Sequence, residues 1–198
     1  AYEGKKSLTQ VEIAEGVRKI GVRAFAGCVN LVSIRIPKSV TYIGNDAFSG
    51  CVSLARVDAS PAVLKKINYA SVFKECPLLP PLIVDGVLKF MPVAGERVVI
   101  PEGVTEISDN LFEDYVGLKD VAFPSSLKKI GESSFNSTGI EKLVLPSGLL
   151  EIGEEAFRYC KALKTLTIPD SVKVIESRAF AACTQLVSLK LSESIEEI

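Results

Sequence analysis

Five cysteines are the side chains best equipped for chemistry: Cys28, Cys51, Cys76, Cys160 and Cys183. Thiols in a group can ligate a soft metal, pair as disulfides or act as a nucleophile. Their number is odd, however, and no Cys-x-x-Cys occurs. The chain has no His at all, which removes imidazole bases and the common His-containing zinc, copper and haem ligand sets. Without an imidazole to activate it, a thiol in apolar surroundings is a poor nucleophile. The cysteines therefore read as small buried groups filling a tight corner. No metal, cofactor or catalytic residue is assigned.

The remaining candidates are weaker. Glu154-Glu155 and Glu196-Glu197 have no further carboxylate arranged for acid–base work, and they read as helix starts or solvated edges. Asn136-Ser137-Thr138 fits the N-glycosylation pattern, but Thr138 falls in an inward column, which argues against its use. No phosphate loop, nucleotide-binding glycine pattern, EF-hand loop or nucleophile elbow is present. An enzyme is the least favoured class.

Composition narrows the partners. Of 198 residues, 47% are apolar and 24% charged, enough apolar side chains for a packed core. Lys and Arg number 23 against 24 Asp and Glu, a net charge of −1. That balance gives neither nucleic acid nor an anionic membrane an electrostatic footing. No apolar run approaches the ~18 residues of a membrane span. Ala1 to Lys6 has no apolar signal-peptide core.

The cysteines are set by an internal repeat. From Val17 the apolar positions run Val17, Ile20, Ala24, Phe25, Cys28, Leu31, Ile34, Ile36, Pro37. The same offsets return from Val40, Val104, Leu149 and Val172, with a period of 23 residues where nothing is gained or lost. A copy from Leu64 gains one residue between Ile67 and Val72, and a copy from Leu127 loses one between Thr138 and Ile140. Seven Phe residues (25, 48, 73, 112, 135, 157 and 180) share one column, and all five Cys share another. Fractional copies open the chain at Leu8, Val11 and Ile13 and close it at Ile195 and Ile198. A single such unit cannot cover its own apolar side, so neighbours must stack.

In Leu163-Lys-Thr-Leu-Thr-Ile-Pro169 the alternation predicts a strand, with Leu166 and Ile168 inward and Thr165 and Thr167 outward. Pro169 ends it, having no N–H for the ladder. Parallel strands are expected near 31–36, 54–58, 79–84, 98–100, 118–123, 140–145, 163–168 and 186–191. Ala156, Phe157 and Cys160 lie at i, i+1 and i+4, which predicts one or two helical turns on the opposite wall. Val172 to Ile175 predicts a second short extended piece.

The pattern Val-x-x-Ile-Gly-x-x-Ala-Phe-x-x-Cys-x-x-Leu-x-x-Leu-x-Ile-Pro, best seen at Leu149–Pro169 and Val17–Pro37, resembles the BspA-type (Treponema pallidum-type) leucine-rich repeats. The resemblance covers residues 8–198. It implies an α/β leucine-rich-repeat solenoid, a right-handed superhelix of parallel short strands and short helices. The whole of 1–198 would be a single array of about seven full repeats plus partial terminal ones. It also implies a cell-surface or secreted binding module, non-enzymatic, for a protein or glycoprotein such as host extracellular matrix or another cell. The alternative is a spacer or stalk within a longer surface protein.

The outward strand positions form two rows where such a ligand would sit. One runs Ser33, Arg56, Asp120, Lys142, Thr165, Ser188. The other runs Arg35, Asp58, Ala122, Val144, Thr167, Lys190. Neither holds an aromatic, so there is no platform for sugar stacking, and the mixed signs make no phosphate site. A solvated face is the plainer reading. The one break in the array is an insertion near 83–99. Asp85-Gly86 between two apolar runs signals a tight hairpin, and Ala94-Gly95-Glu96 a second turn. Phe90 and Met91 would either project as a contact element or pack on the array, and packing is the more common fate of such residues. Since both ends fall within a repeat, the chain is expected to be part of a longer array, with its C-terminal end mobile or covered.

Overall fold

A computed structural model describes residues 2–93 and 95–196. Ala94 of the second expected turn and Ile198 of the closing partial repeat lie outside them. The chain is a β-solenoid of stacked coils, and its contacts divide it into two compact units. One is Ala1–Val84 with Lys89–Pro92, and the other Asp85–Leu88 with Val93–Ile198.

Each coil contributes to two strand walls. The Leu-x-x-Leu-x-Ile piece forms the first, because alternate apolar side chains turn inward and their neighbours outward. In unit 1 the strands Gln10–Glu12, Ser33–Ile36 and Arg56–Ala59 pair in parallel, Gln10 opposite Ser33 and Ser33 opposite Arg56. In unit 2 Arg97–Val99 pairs with Asp120–Ala122, and Thr165–Thr167 with Ser188–Lys190. The expected strand at 140–145 does not form, only an isolated bridge joining Asp120 to Lys142, and of the one expected at 79–84 only Leu82–Val84 is a strand, paired with Val87–Phe90 and not with Arg56–Ala59. The Val-x-x-Ile pieces build the second wall. Lys19–Ile20 pairs with Tyr42–Ile43 in unit 1. In unit 2 Glu106–Ile107, Lys129–Ile130, Glu151–Ile152 and Val174–Ile175 pair in sequence.

The insertion folds as a hairpin turn. Asp85 and Gly86, at φ +52° and +81°, connect Leu82–Val84 to Val87–Phe90. Two consecutive left-handed residues are what this turn type requires. Val87 and Leu88 then pair with Glu106 and Ile107, so the inserted strand extends the second wall of unit 2.

The third wall departs from expectation. The Phe column is not carried on helices, apart from Tyr69–Val72 just before Phe73. Elsewhere it rides on consecutive turns. The second residue before and after Phe is left-handed: Glu155 and Tyr159 around Phe157 lie at φ +53° and +59°, and Ser133 and Ser137 around Phe135 at +49° and +58°. No α-helix passes through such residues. Instead the N–H groups alternate. Ala156, Arg158 and Cys160 donate three residues back, to Gly153, Glu155 and Phe157 (3.2, 2.9 and 3.2 Å). Glu155, Phe157 and Tyr159 donate to the next coil, to Ser177, Ala179 and Ala181 (3.0, 2.8 and 2.9 Å).

Two further contacts lock this wall. The aromatic rings stack coil on coil: Tyr2, Phe25, Phe48 and Phe73 at 5.3, 5.2 and 5.3 Å in unit 1, and Phe112, Phe135, Phe157 and Phe180 at 5.0, 5.2 and 5.4 Å in unit 2. Offset stacking of this kind adds to the burial of the rings themselves. The coils also approach closely at a glycine column. A Cβ on Gly153 would lie 2.9 Å from the Glu132 nitrogen and from the Gly131 carbonyl carbon, and one on Gly131 2.6 Å from the Ile107 oxygen.

Length changes are absorbed away from the rings. Phe48 and Phe73 are 25 residues apart and Phe135 and Phe157 22, yet both pairs stack as the 23-residue pairs do. The lost residue in the Leu127 coil is absorbed on the first strand wall, which is why 140–145 drops out of its ladder.

Thermal and urea melts of three variants test this wall. Phe157→Ala should lower stability by about 3–5 kcal/mol. Gly153→Ala should cost about 1–3 kcal/mol, since its contacts are backbone and cannot rotate away. Ser134, its buried hydroxyl without a hydrogen-bond partner among the described residues, stands in the Ala column. Ser134→Ala should therefore raise stability by about 1 kcal/mol.

Candidate binding surface

The cysteines prove to be structural donors. Each thiol points to a main-chain carbonyl one coil back in the ring column. Cys28 Sγ reaches Tyr2 O at 3.1 Å, Cys51 reaches Phe25 O at 3.2 Å and Cys76 reaches Phe48 O at 3.2 Å. In unit 2 Cys160 reaches Phe135 O at 3.3 Å and Cys183 reaches Phe157 O at 3.2 Å. All five are free and buried. Burial pushes the thiols up from their ordinary 9.0, Cys51 and Cys183 to about 11 and Cys76 to about 12, with the neighbouring thiol adding to it. A neutral S–H suits a donor to carbonyl and is inert as a nucleophile. In the shortened coil Thr138 takes the column, donating through Oγ1 to Phe135 O at 2.9 Å.

In the acidic pairs, Glu196 meets Lys173 at 3.2 Å, and Glu197 lies outside the described residues. Glu155 accepts from Arg158 at 2.9 Å and from Arg178 at 3.4 Å, and the Arg158 hydrogen bond holds its carboxyl below the usual range. Asn136 is buried, its amide directed at Glu113 at 3.4 Å, and Thr138 beside it is buried too.

What faces outward is the first strand wall. In unit 1 the pairing aligns Gln10, Ser33 and Arg56 in one row and Glu12, Arg35 and Asp58 in the other. Arg35 pairs with Glu12 at 3.0 Å, both side chains well exposed, so the contact contributes little to stability. In unit 2 the rows are Arg97, Asp120 and Lys142, then Thr165 and Ser188; and Val99 and Ala122, then Thr167 and Lys190. Arg97 and Asp120 pair at 3.2 Å, and behind them Lys119 and Glu96 at 2.6 Å. The twelve row positions thus stand on the first wall of one unit or the other, Lys142 and Val144 in the coil whose strand does not form, and Phe90 and Met91 are the remaining two candidates.

Those two do not stand on it. Phe90 is buried, its ring 6.1 Å from Tyr69, because the inserted strand turns alternate side chains into the core. Met91 is half-buried. The insertion packs; Phe90 is not displayed as a contact residue. Besides Gln10, Glu12 and Arg97 on the rows, two further positions were missed: Val99, 60% exposed, and Tyr2, which opens the ring stack. Counting 23 residues back from Ala122 (row two, where 99 falls) and from Phe25 would have found both.

Residues 1–89 and 88–198 match the model of the BspA type leucine rich repeat region, in six copies. The chain belongs to the BspA-type leucine-rich repeat family. Among solved structures it is similar to a leucine-rich cell surface protein of Faecalibacterium prausnitzii, at 21% identity and TM-score 0.54, over 95% of this chain and 61% of that one. The pneumococcal vaccine antigen PcpA gives 22% and 0.59, over 96% and 61%. A leucine-rich repeat protein of Bacteroides ovatus gives 19% and 0.50, over 99% and 64%. These likenesses are of fold. The chain spans under two thirds of the length of each. No curated protein sequence matches it. No helix of the described residues is long and apolar enough to cross a membrane.

Titration with a thiol reagent at neutral pH should find few reactive groups in the folded BspA-type array and five after denaturation without reductant. The raised thiols also set an alkaline limit. Their stabilisation is complete below pH 9 and is lost as pH climbs toward 11–12, where folded thiols finally ionise. Melts at pH 7 and 10.5 should show the drop, and Cys76→Ser should lessen it.

Proposed function

We propose that this array is a non-enzymatic binding module of a cell-surface or secreted protein, engaging a protein or glycoprotein of another cell or of the extracellular matrix. The observation that carries the reading is the first strand wall. It presents exposed side chains in register, one coil apart, on strands paired in parallel within each unit. Such a grid offers many weak polar contacts whose positions are fixed in advance, so little ordering is lost on binding. The side chains argued to make them are Ser33, Arg35, Arg56 and Asp58 in unit 1. In unit 2 they are Asp120, Lys142, Thr165, Thr167, Ser188 and Lys190. Two findings favour binding over catalysis: the thiols are sealed, and Glu155 on the turn wall is engaged by Arg158 and Arg178. The name of the Faecalibacterium protein supports a place at the cell surface.

The test is capture of purified extracellular-matrix proteins and mucin by the immobilised chain. At least one should bind, and Arg35→Glu with Arg56→Glu, or Thr167→Glu with Lys190→Glu, should weaken it tenfold or more while the melt is unchanged. If no ligand binds, or if none of these substitutions matters, the spacer reading takes its place.

A further inference from the structure

The coil that lost a residue opens a groove in the strand wall. Where first-wall strands pair in unit 2, two backbone bonds beyond the strands tie one to the next. Val187 N–H donates to Lys164 O at 3.0 Å and Ile168 N–H to Lys190 O at 2.9 Å; one pair of coils earlier, Lys119 N–H donates to Glu96 O and Ile100 N–H to Ala122 O. The corresponding donors between 140–145 and 163–168 are Lys164 and Leu145. Among the described residues neither makes a backbone bond, and the ladder stops at Lys142 and restarts at Thr165. Glu141 and Lys164, counterparts of the bridged Glu96 and Lys119, form no ion pair across the gap. A groove of about 470 Å³ lies here, lined by Leu143, Val144, Leu145, Thr165, Leu166 and Thr167 among others.

Three features define what it would hold. Its floor is apolar, formed by the buried Leu143, Leu145 and Leu166. Val144 stands at the rim, 66% exposed. The unused backbone donors want an acceptor. Among the described residues of unit 2, the charged outward residues on the two rows beyond the mutually paired Arg97 and Asp120 are Lys142 and Lys190, both exposed and without an ion pair.

We propose that this groove is the docking site for an extended segment of a partner protein in which apolar and acidic side chains alternate. This rests on the binding-module reading and names its partner's chemistry. Apolar side chains of the segment enter over Leu143 and Leu166, its main chain and carboxylates meet the unpaired donors, and Lys142 selects negative charge.

The probe is a hexapeptide of alternating glutamate and valine, with a control carrying lysine for glutamate, titrated into the 198-residue chain and followed by amide chemical shifts. The glutamate peptide should shift amides of 143–145 and 164–167 saturably, and the lysine peptide should not. Lys142→Glu should weaken the glutamate peptide at least tenfold. So should insertion of one alanine between Thr138 and Gly139, which restores a 23-residue coil and closes the ladder. Absence of saturable shifts, shifts confined elsewhere, or affinity retained in folded Lys142→Glu protein would overturn the proposal. Capture of a matrix protein that is sensitive to Arg35 or Lys190 but indifferent to the insertion would leave the binding-module reading standing and end this one.

Discussion

The peptide unit on each side of the column phenylalanine holds the array together. Its N–H donates to the next coil, as Phe135 does to Ala156 O and Phe157 to Ala179 O, both at 2.8 Å. At Phe25, Phe48, Phe135 and Phe157 the C=O takes two donors, the N–H of the residue three on and the thiol of the next coil's cysteine. The ring is clamped between the rings above and below. A buried carbonyl left short of donors costs about 1–3 kcal/mol, so a column of them can be sustained only if every coil arrives in the same place. The glycine column answers that need by letting the backbones close to contact.

Because the ring stack tolerates so little, the rest of the coil takes up the variation: the gained residue before Phe73 goes into the Tyr69–Val72 helix, and the lost one comes out of the strand wall. Both changes of coil length leave the ring spacing intact, and the shorter one breaks the first-wall ladder instead. The wall that carries exposed side chains is therefore also the one where coil length can vary without unstacking the core. In a scaffold of near-identical coils, that is where a distinctive site can arise at small structural cost.

Much of this was legible in the sequence. Fixed spacing between columns revealed the coil length, both strand walls, the Phe and Cys columns and the Asp85-Gly86 turn. The turn wall was misread as helical because Ala156, Phe157 and Cys160 satisfy helical spacing and the alternating turns equally well. The discriminating signal was present: Gly27 and Gly50, Asp46, Asn110 and Asp114 supply left-handed positions at fixed distances from Phe, which a helix has no use for. The missing residue after Thr138 was visible too. Which wall would absorb it was not, because that depends on the relative stiffness of ring stack and ladder, a tertiary property. The outward rows followed from strand alternation, whereas Phe90 needed the fate of the inserted strand, which alternation alone leaves open.

Residue-resolved hydrogen exchange on the intact chain tests the central claim that the turn wall is the continuous spine and the strand wall the adaptable one. The amides of Phe112, Phe135 and Phe157 should exchange only at the rate of global unfolding. Those of Leu145 and Lys164 should exchange faster by roughly a hundredfold or more. Equal protection of the two sets, or faster exchange at Phe135 than at Leu145, would contradict it.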